Sequence, residues 1–356
     1  MKKLILLVKP AAGLCNMDCG YCFYRPVSGG RENRIMTRET VDLLIEKIAR
    51  FSPSEVSVMF QGGEPTLAGL DFYRYFVGKM REKIKAPVFY SIQTNALLID
   101  DAFARFLKEN EFLTGVSLDG ARKTNDRYRL DSGGESVLPR VLDAVSLFNK
   151  HKVDFNILSV VDDKNAADIE STYAYFKKHR FGYLQFIPCI DGGGGISLSA
   201  ENCETFLKKL FDLWYDDYMS GNYISVRHID NYIGILAGRA PESCAMCGTC
   251  GHYFVVESDG CIYPCDFYCG DSYKVGTLYD DSPFEINEKH RAFIEESLLI
   301  HSHCKSCKYY ALCRGGCKRD RINNYSENIY CGSYYNFFEY AIERMAAISR
   351  SLQRRA

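Results

Sequence analysis

The 356-residue chain carries almost no net charge, because 44 Lys and Arg stand against 45 Asp and Glu, a formal value of -1. Proteins that grip the nucleic-acid backbone carry a basic excess, so that class is disfavoured. Long apolar runs are missing too. Nowhere do about eighteen apolar residues follow one another, so no membrane span is expected. The N-terminal run Leu4 to Val8 stops at Lys9-Pro10 and is too short for the core of an export signal. A cytoplasmic protein with reduced thiols is therefore expected, without a disulfide framework. Internal repeats and low-complexity tracts are absent. The Gly-rich stretch Asp191 to Gly195 precedes no helix with Lys-Ser or Lys-Thr, so it reads as a loop and not as a phosphate cradle.

What is present is a globular composition, 47% hydrophobic and 25% charged, with length for one large domain or two. Short apolar runs alternate with amphipathic stretches up to about residue 235. Strands are expected at Leu4 to Val8, Val56 to Phe60, Val88 to Ile92, Gly115 to Leu118, Asp154 to Val161, Tyr183 to Pro188 and Tyr223 to Val226. Thr37 caps a helical pattern with Val41, Leu44, Ile45 and Ile48 on one face, and similar faces fall in 100–110, 136–151, 165–179 and 200–219. This α/β alternation implies a parallel sheet closed or partly closed into a barrel of about six units.

The chain holds sixteen Cys, and eleven of them lie between Cys244 and Cys331. A small metal-stapled domain is expected there, over 236–333, with a hairpin at Tyr253 to Ile262 turning on Ser258-Asp259-Gly260 and a closing helix within 334–356. Upstream, Cys15, Cys19 and Cys22 form a C-x3-C-x2-C loop directly after the first strand. Three thiolates can hold three corners of a 4Fe-4S cluster and leave the fourth iron open. A zinc knuckle would want a fourth ligand nearby, and the loop has none.

That spacing, with Tyr21 before the last Cys, resembles the radical S-adenosylmethionine (SAM) superfamily. Gln61-Gly62-Gly63-Glu64-Pro65 after the second strand looks like that superfamily's SAM-binding turn. The glycines allow close backbone approach, and carbonyls with a carboxylate suit an ammonium. The resemblance implies a partial (β/α)6 TIM-type barrel over 1–235, with Ser117 near the SAM ribose, Leu184 near the adenine and Arg129 near the SAM carboxylate. The C-terminal spacing looks like a SPASM domain, which implies Cys244, Cys250, Cys265 and Cys317 for one auxiliary cluster. Cys304, Cys307, Cys313 and Cys331 then hold the other. A zinc ribbon stays open for these positions on spacing alone. Cys189, Cys203, Cys247, Cys261 and Cys269 remain without a role, and Cys247 forms C-x2-C with both Cys244 and Cys250.

The likeness extends nearly end to end to the anaerobic sulfatase-maturating enzymes. It includes Phe60 to Leu70, Leu184 to Ile187, Phe211 to Tyr215 and Tyr263 to Tyr268. It implies oxidation of a Cys or Ser in a sulfatase Cys/Ser-x-Pro-x-Arg segment to formylglycine, with three 4Fe-4S clusters and a one-electron donor such as flavodoxin or ferredoxin. Asp266, beside Cys265, would be the general base, and Tyr24 would sit near the radical site. A maturase that crosslinks, epimerises or oxidises another ribosomally made peptide would share these ligands. That alternative stays open.

Overall fold

The computed structural model describes residues 2–25, 34–192, 195–321 and 327–353. The middle of the Gly-rich stretch at 191–195 and the end of the expected closing segment 334–356 fall outside them. Ten strands are β1 (Lys3–Lys9), β2 (Glu55–Phe60), β3 (Val88–Thr94), β4 (Leu113–Ser117), β5 (Asp154–Val161), β6 (Tyr183–Pro188), β7 (Ser225–Val226), β8 (Phe254–Glu257), β9 (Cys261–Tyr263) and β10 (Gly276–Thr277). Helices follow each of the first six, as the alternation predicts. The chain forms two compact units.

The first unit, Met1–Ser117, Tyr128–Phe155 and Gly251–Ala292, contains β1 to β4 and β8 to β10. Strands β1, β2, β3 and β4 pair in parallel in that order, with Leu4 opposite Val56 and Val56 opposite Val88. On the other side of β1 lies β8, also parallel, with Leu6 opposite Phe254. The expected hairpin is present as β8 and β9, antiparallel with Val256 opposite Ile262. Strand β8 is buried at all four residues, which explains its continuous apolar text.

Helix Arg38–Phe51 starts where expected, with the Thr37 hydroxyl accepting from Thr40 N at 3.2 Å. It buries Val41, Leu44, Ile45 and Ile48. Helix Leu70–Lys83 was not anticipated. Its buried residues Tyr73, Phe76 and Met80 pack beneath the end of β2, where Phe60 is fully buried among Phe72, Tyr73, Phe76 and Phe112 at centroid distances of 5.1 to 6.5 Å. Such an aromatic anchor is worth about 3–5 kcal/mol against truncation. It fixes the strand end from which Gln61 to Glu64 emerge.

The second unit, Leu118–Arg127, Asn156–Cys250 and Phe293–Ala356, contains the parallel strands β5, β6 and β7, with Ile157 opposite Leu184 and Leu184 opposite Val226. Helices Ala200–Met219 and Cys331–Gln353 flank one another through Phe211 and Phe337, 5.9 Å apart. No helix among the described residues is long and apolar enough to cross a membrane.

Candidate active site

Strand β1 ends at Lys9, and the chain turns through Ala12, whose N donates to Lys9 O at 3.3 Å, into the loop of Cys15, Cys19 and Cys22. The loop is held on one side by Asp18 N to Leu130 O and Gly20 N to Tyr128 O, both 3.0 Å. Arg129, between those two acceptors, is buried and donates to the Tyr21 hydroxyl at 3.0 Å and to Met17 Sδ at 3.8 Å. Its guanidinium braces the loop that carries the three thiols.

On the other side the Gly-Gly-Glu turn lies directly against the loop. Gly63 N donates to Ala12 O at 2.9 Å and Glu64 N to Leu14 O at 2.7 Å. A Cβ on Gly63 would stand 2.1 Å from Leu14 O, and Gly62 adopts φ +132°. Both positions therefore need glycine, one for space and one for conformation.

Glu64 is buried, and burial pushes its carboxyl above the usual range. Its Oε1 accepts from Thr66 N at 3.0 Å, Thr66 Oγ1 at 2.5 Å and Thr94 Oγ1 at 2.7 Å, whereas Oε2 accepts from Asn95 N at 2.7 Å. The carboxylate thus ties the turn to the end of β3, and its spare acceptor capacity is on Oε2. Asn95 also donates to Asn16 at 2.7 Å. Thr66 carries no motif signal in the sequence. Ser117 closes β4 and accepts from Gln93 Nε2 at 2.8 Å.

The three loop thiols suit a metal cluster chemically. Burial pushes Cys15 up to about 11, and the charges of Glu64, Cys19 and Cys22 add to the rise. Mutually repelling thiolates are stabilised by a bound cationic centre.

Asp266 follows Cys265 and is buried. Lys9 Nζ lies 2.7 Å from its Oδ1, and Gln61 Nε2 donates to its Oδ2 at 3.0 Å. The Tyr253 hydroxyl accepts from Asp266 N at 3.4 Å and meets Cys265 Sγ at 3.5 Å. Phe23 packs on Phe267 with centroids 4.8 Å apart. Residues flanking the three-Cys loop thus touch residues flanking Cys265. Tyr24 gives its hydroxyl to Glu257 Oε1 at 2.6 Å. Burial would lower Lys9, yet Asp266, Cys269 and Glu257 together raise it, so its ammonium stays charged.

In the second unit Leu184 is a buried residue of β6. Cys244 lies close enough to Cys250 and Cys247 for their charges to raise it beyond the effect of burial. Cys247 directs its thiol at Ser243 O, 3.4 Å away. Burial pushes Cys331 up to about 12, and Glu327, Cys304 and Cys313 add to this. Cys313 is raised by burial and then by Cys304 and Cys307. The four form one neighbourhood, joined by His303, whose Nε2 is 3.5 Å from Cys331 Sγ. Buried Arg321 donates to the carbonyls of Gly315, Gly316, Ser297 and Leu299 at 2.8 to 3.2 Å, bracing the turn between Cys313 and Cys317. Neither His303 nor Arg321 carries a spacing signal in the sequence.

A parallel βα sheet with three thiols after β1 and a glycine turn after β2 defines the radical SAM class of enzymes, and the radical SAM superfamily model matches residues 11–176. The cysteine-type anaerobic sulfatase-maturating enzyme of Clostridium novyi (strain NT) is 40% identical over 369 residues, covering 99% of both chains. The serine-type enzyme of Bacteroides thetaiotaomicron is 28% identical over 384 residues, covering 99% of this chain and 92% of that one. Among solved structures, anSMEcpe with bound AdoMet and the Cp18Cys peptide shares 40% identity at a TM-score of 0.93, covering 98% of this chain and 99% of that one. The chain belongs to the anaerobic sulfatase-maturating enzymes. It is a radical SAM oxidoreductase with the partial (β/α)6 barrel and the SPASM-type C-terminal region of that family, which uses SAM and three 4Fe-4S clusters.

Proposed function

We propose that this chain oxidises a Cys of a sulfatase Cys-x-Pro-x-Arg segment to Cα-formylglycine, with Asp266 as the general base. The observation that carries the reading is the Asp266 carboxylate. It is buried next to Cys265, held by Gln61 from the SAM turn, and paired with the Lys9 ammonium. Cysteine is favoured over serine by the 40% identity to a cysteine-type relative against 28% to a serine-type one.

In this reading Cys15, Cys19 and Cys22 hold the SAM cluster, while the Gly62-Gly63 carbonyls and Glu64 Oε2 receive the SAM amino group. Ser117, oriented by Gln93, serves the ribose, and Leu184 the adenine. Arg129, which donates to Tyr21, serves the SAM carboxylate. The remaining eight cluster cysteines are divided as the SPASM resemblance implies, and the functional regions follow the divisions at 235 and 333. When bound, SAM and its cluster would supply the 5'-deoxyadenosyl radical that removes a Cβ hydrogen, and the auxiliary clusters would supply an electron acceptor. Asp266 accepts the thiol proton, leaving a thioaldehyde that water converts to the aldehyde with release of hydrogen sulfide. A low-potential donor such as flavodoxin or ferredoxin in an anaerobic cytoplasm would provide the electron for SAM cleavage.

The test is anaerobic reconstitution followed by mass spectrometry of Cys-x-Pro-x-Arg and Ser-x-Pro-x-Arg peptides. Aldehyde from the Cys peptide is expected. SAM cleavage with neither peptide changed would overturn the proposal and point to a different ribosomal peptide.

A further inference from the structure

Lys9 has no place in the sequence motifs, yet its side chain is wholly buried at the end of β1. Burying an ammonium is costly unless it is paired on several sides. Here Asp266 Oδ1 lies 2.7 Å from Nζ, Cys269 Sγ 3.6 Å, Glu257 Oε1 3.7 Å and the centroid of the Tyr24 ring 3.5 Å. Each backing group is itself held. The Tyr24 hydroxyl grips Glu257, and the Cys269 thiol donates to Cys265 O at 3.5 Å. The ammonium therefore has a fixed direction as well as a fixed place, and its shortest contact is the one to Asp266.

A carboxyl group rotates easily about its last torsion, so proton transfer from a positioned thiol needs that torsion set beforehand. Two groups hold it here, the Lys9 ammonium paired with Oδ1 and Gln61 Nε2 donating to Oδ2. We infer that Lys9 is a positioning residue for the reaction: its ammonium, braced by Glu257, Tyr24 and Cys269, sets the plane of the Asp266 carboxylate toward the peptide thiol. The inference rests on Asp266 being the base. Cys269, which had no assigned role, here links the ammonium to the backbone of Cys265.

The experiment uses the reconstituted full chain and a Cys-x-Pro-x-Arg peptide deuterated at the Cys Cβ, comparing wild type with Lys9→Met. Loss of folded enzyme lowers 5'-deoxyadenosine and aldehyde together, so their ratio separates positioning from stability. Lys9→Met is expected to raise 5'-deoxyadenosine per aldehyde by about tenfold or more while deuterium still enters 5'-deoxyadenosine. Lys9→Gln, which keeps one donor, is expected to give an intermediate ratio and is read in its place if Lys9→Met loads less iron than wild type. A wild-type ratio in the variant that loads iron overturns the inference, as does failure of both variants to load. If wild type forms no aldehyde, the functional reading fails, and this inference falls with it before any variant is made.

Discussion

Gln61 Nε2 donates to Asp266 Oδ2 at 3.0 Å, so the residue that opens the Gly-Gly-Glu turn also grips the carboxylate that follows Cys265. The two are 205 positions apart in sequence. Parallel pairing of β8 with β1 brings them together, because β1 and β2 are themselves paired and Gln61 N donates to Val8 O at 3.0 Å. A buried carboxylate beside the Gly-Gly-Glu turn follows from that register.

Replacing Asp266 by Asn keeps the volume and the Tyr253 contact to its backbone but removes the base. SAM cleavage is expected to persist while aldehyde formation falls about a hundredfold or more. Quantifying 5'-deoxyadenosine and formylglycine in one incubation checks this, and an unchanged aldehyde yield would remove Asp266 from the role.

Gly63→Ala should disable SAM binding without unfolding the barrel. Its new Cβ would meet Leu14 O at 2.1 Å, and both partners are backbone, so the turn or the three-Cys loop must move. Equilibrium binding of SAM to the reconstituted protein is expected to weaken by about tenfold or more, equivalent to roughly 1.4 kcal/mol.

Much of this arrangement was legible in the sequence. The strand-helix alternation and the open three-thiol loop follow from pattern and spacing, whereas the Gly turn is read from the family resemblance. Lys9 was not, because a lysine before Pro10 at the end of an apolar run reads as the end of burial, and only the register of β1 against β8 supplies its counter-charges. Helices Leu70–Lys83 and Arg227–Leu236 were missed as elements. The first packs mainly aromatic residues, which also suit strands. Strand β4 begins at Leu113, earlier than expected, because its first residue is exposed and pairing with Ser91 decides its start.

Arg321→Met should cost the auxiliary region its order. Four carbonyls lose their donor in a buried turn, a penalty of several times about 1 kcal/mol. Iron is expected to fall from about twelve per chain to about eight or fewer, with the SAM cluster retained. Iron analysis together with assay of SAM cleavage distinguishes this from general unfolding.

Burial, with the neighbouring Arg227 charge, pushes the His228 imidazole down to about 4. Its folded value lies below the ordinary 6.5, so the unfolded chain takes up the proton first. Stability contributed by the neutral ring is present above pH 6.5 and is lost as pH falls toward 4, by at most about 3 kcal/mol. Thermal midpoints measured anaerobically at pH 7 and pH 5 should drop in wild type and drop less in His228→Leu.

The central claim is that this chain turns a peptide Cys into an aldehyde by removing a Cβ hydrogen. Incubating the reconstituted enzyme with SAM, a reductant and a Cβ-deuterated Cys-x-Pro-x-Arg peptide tests it most directly by mass spectrometry. Deuterium in 5'-deoxyadenosine and formylglycine in the peptide are expected, in matching amounts. Cleaved SAM without deuterium transfer, beside an unaltered peptide, would contradict it.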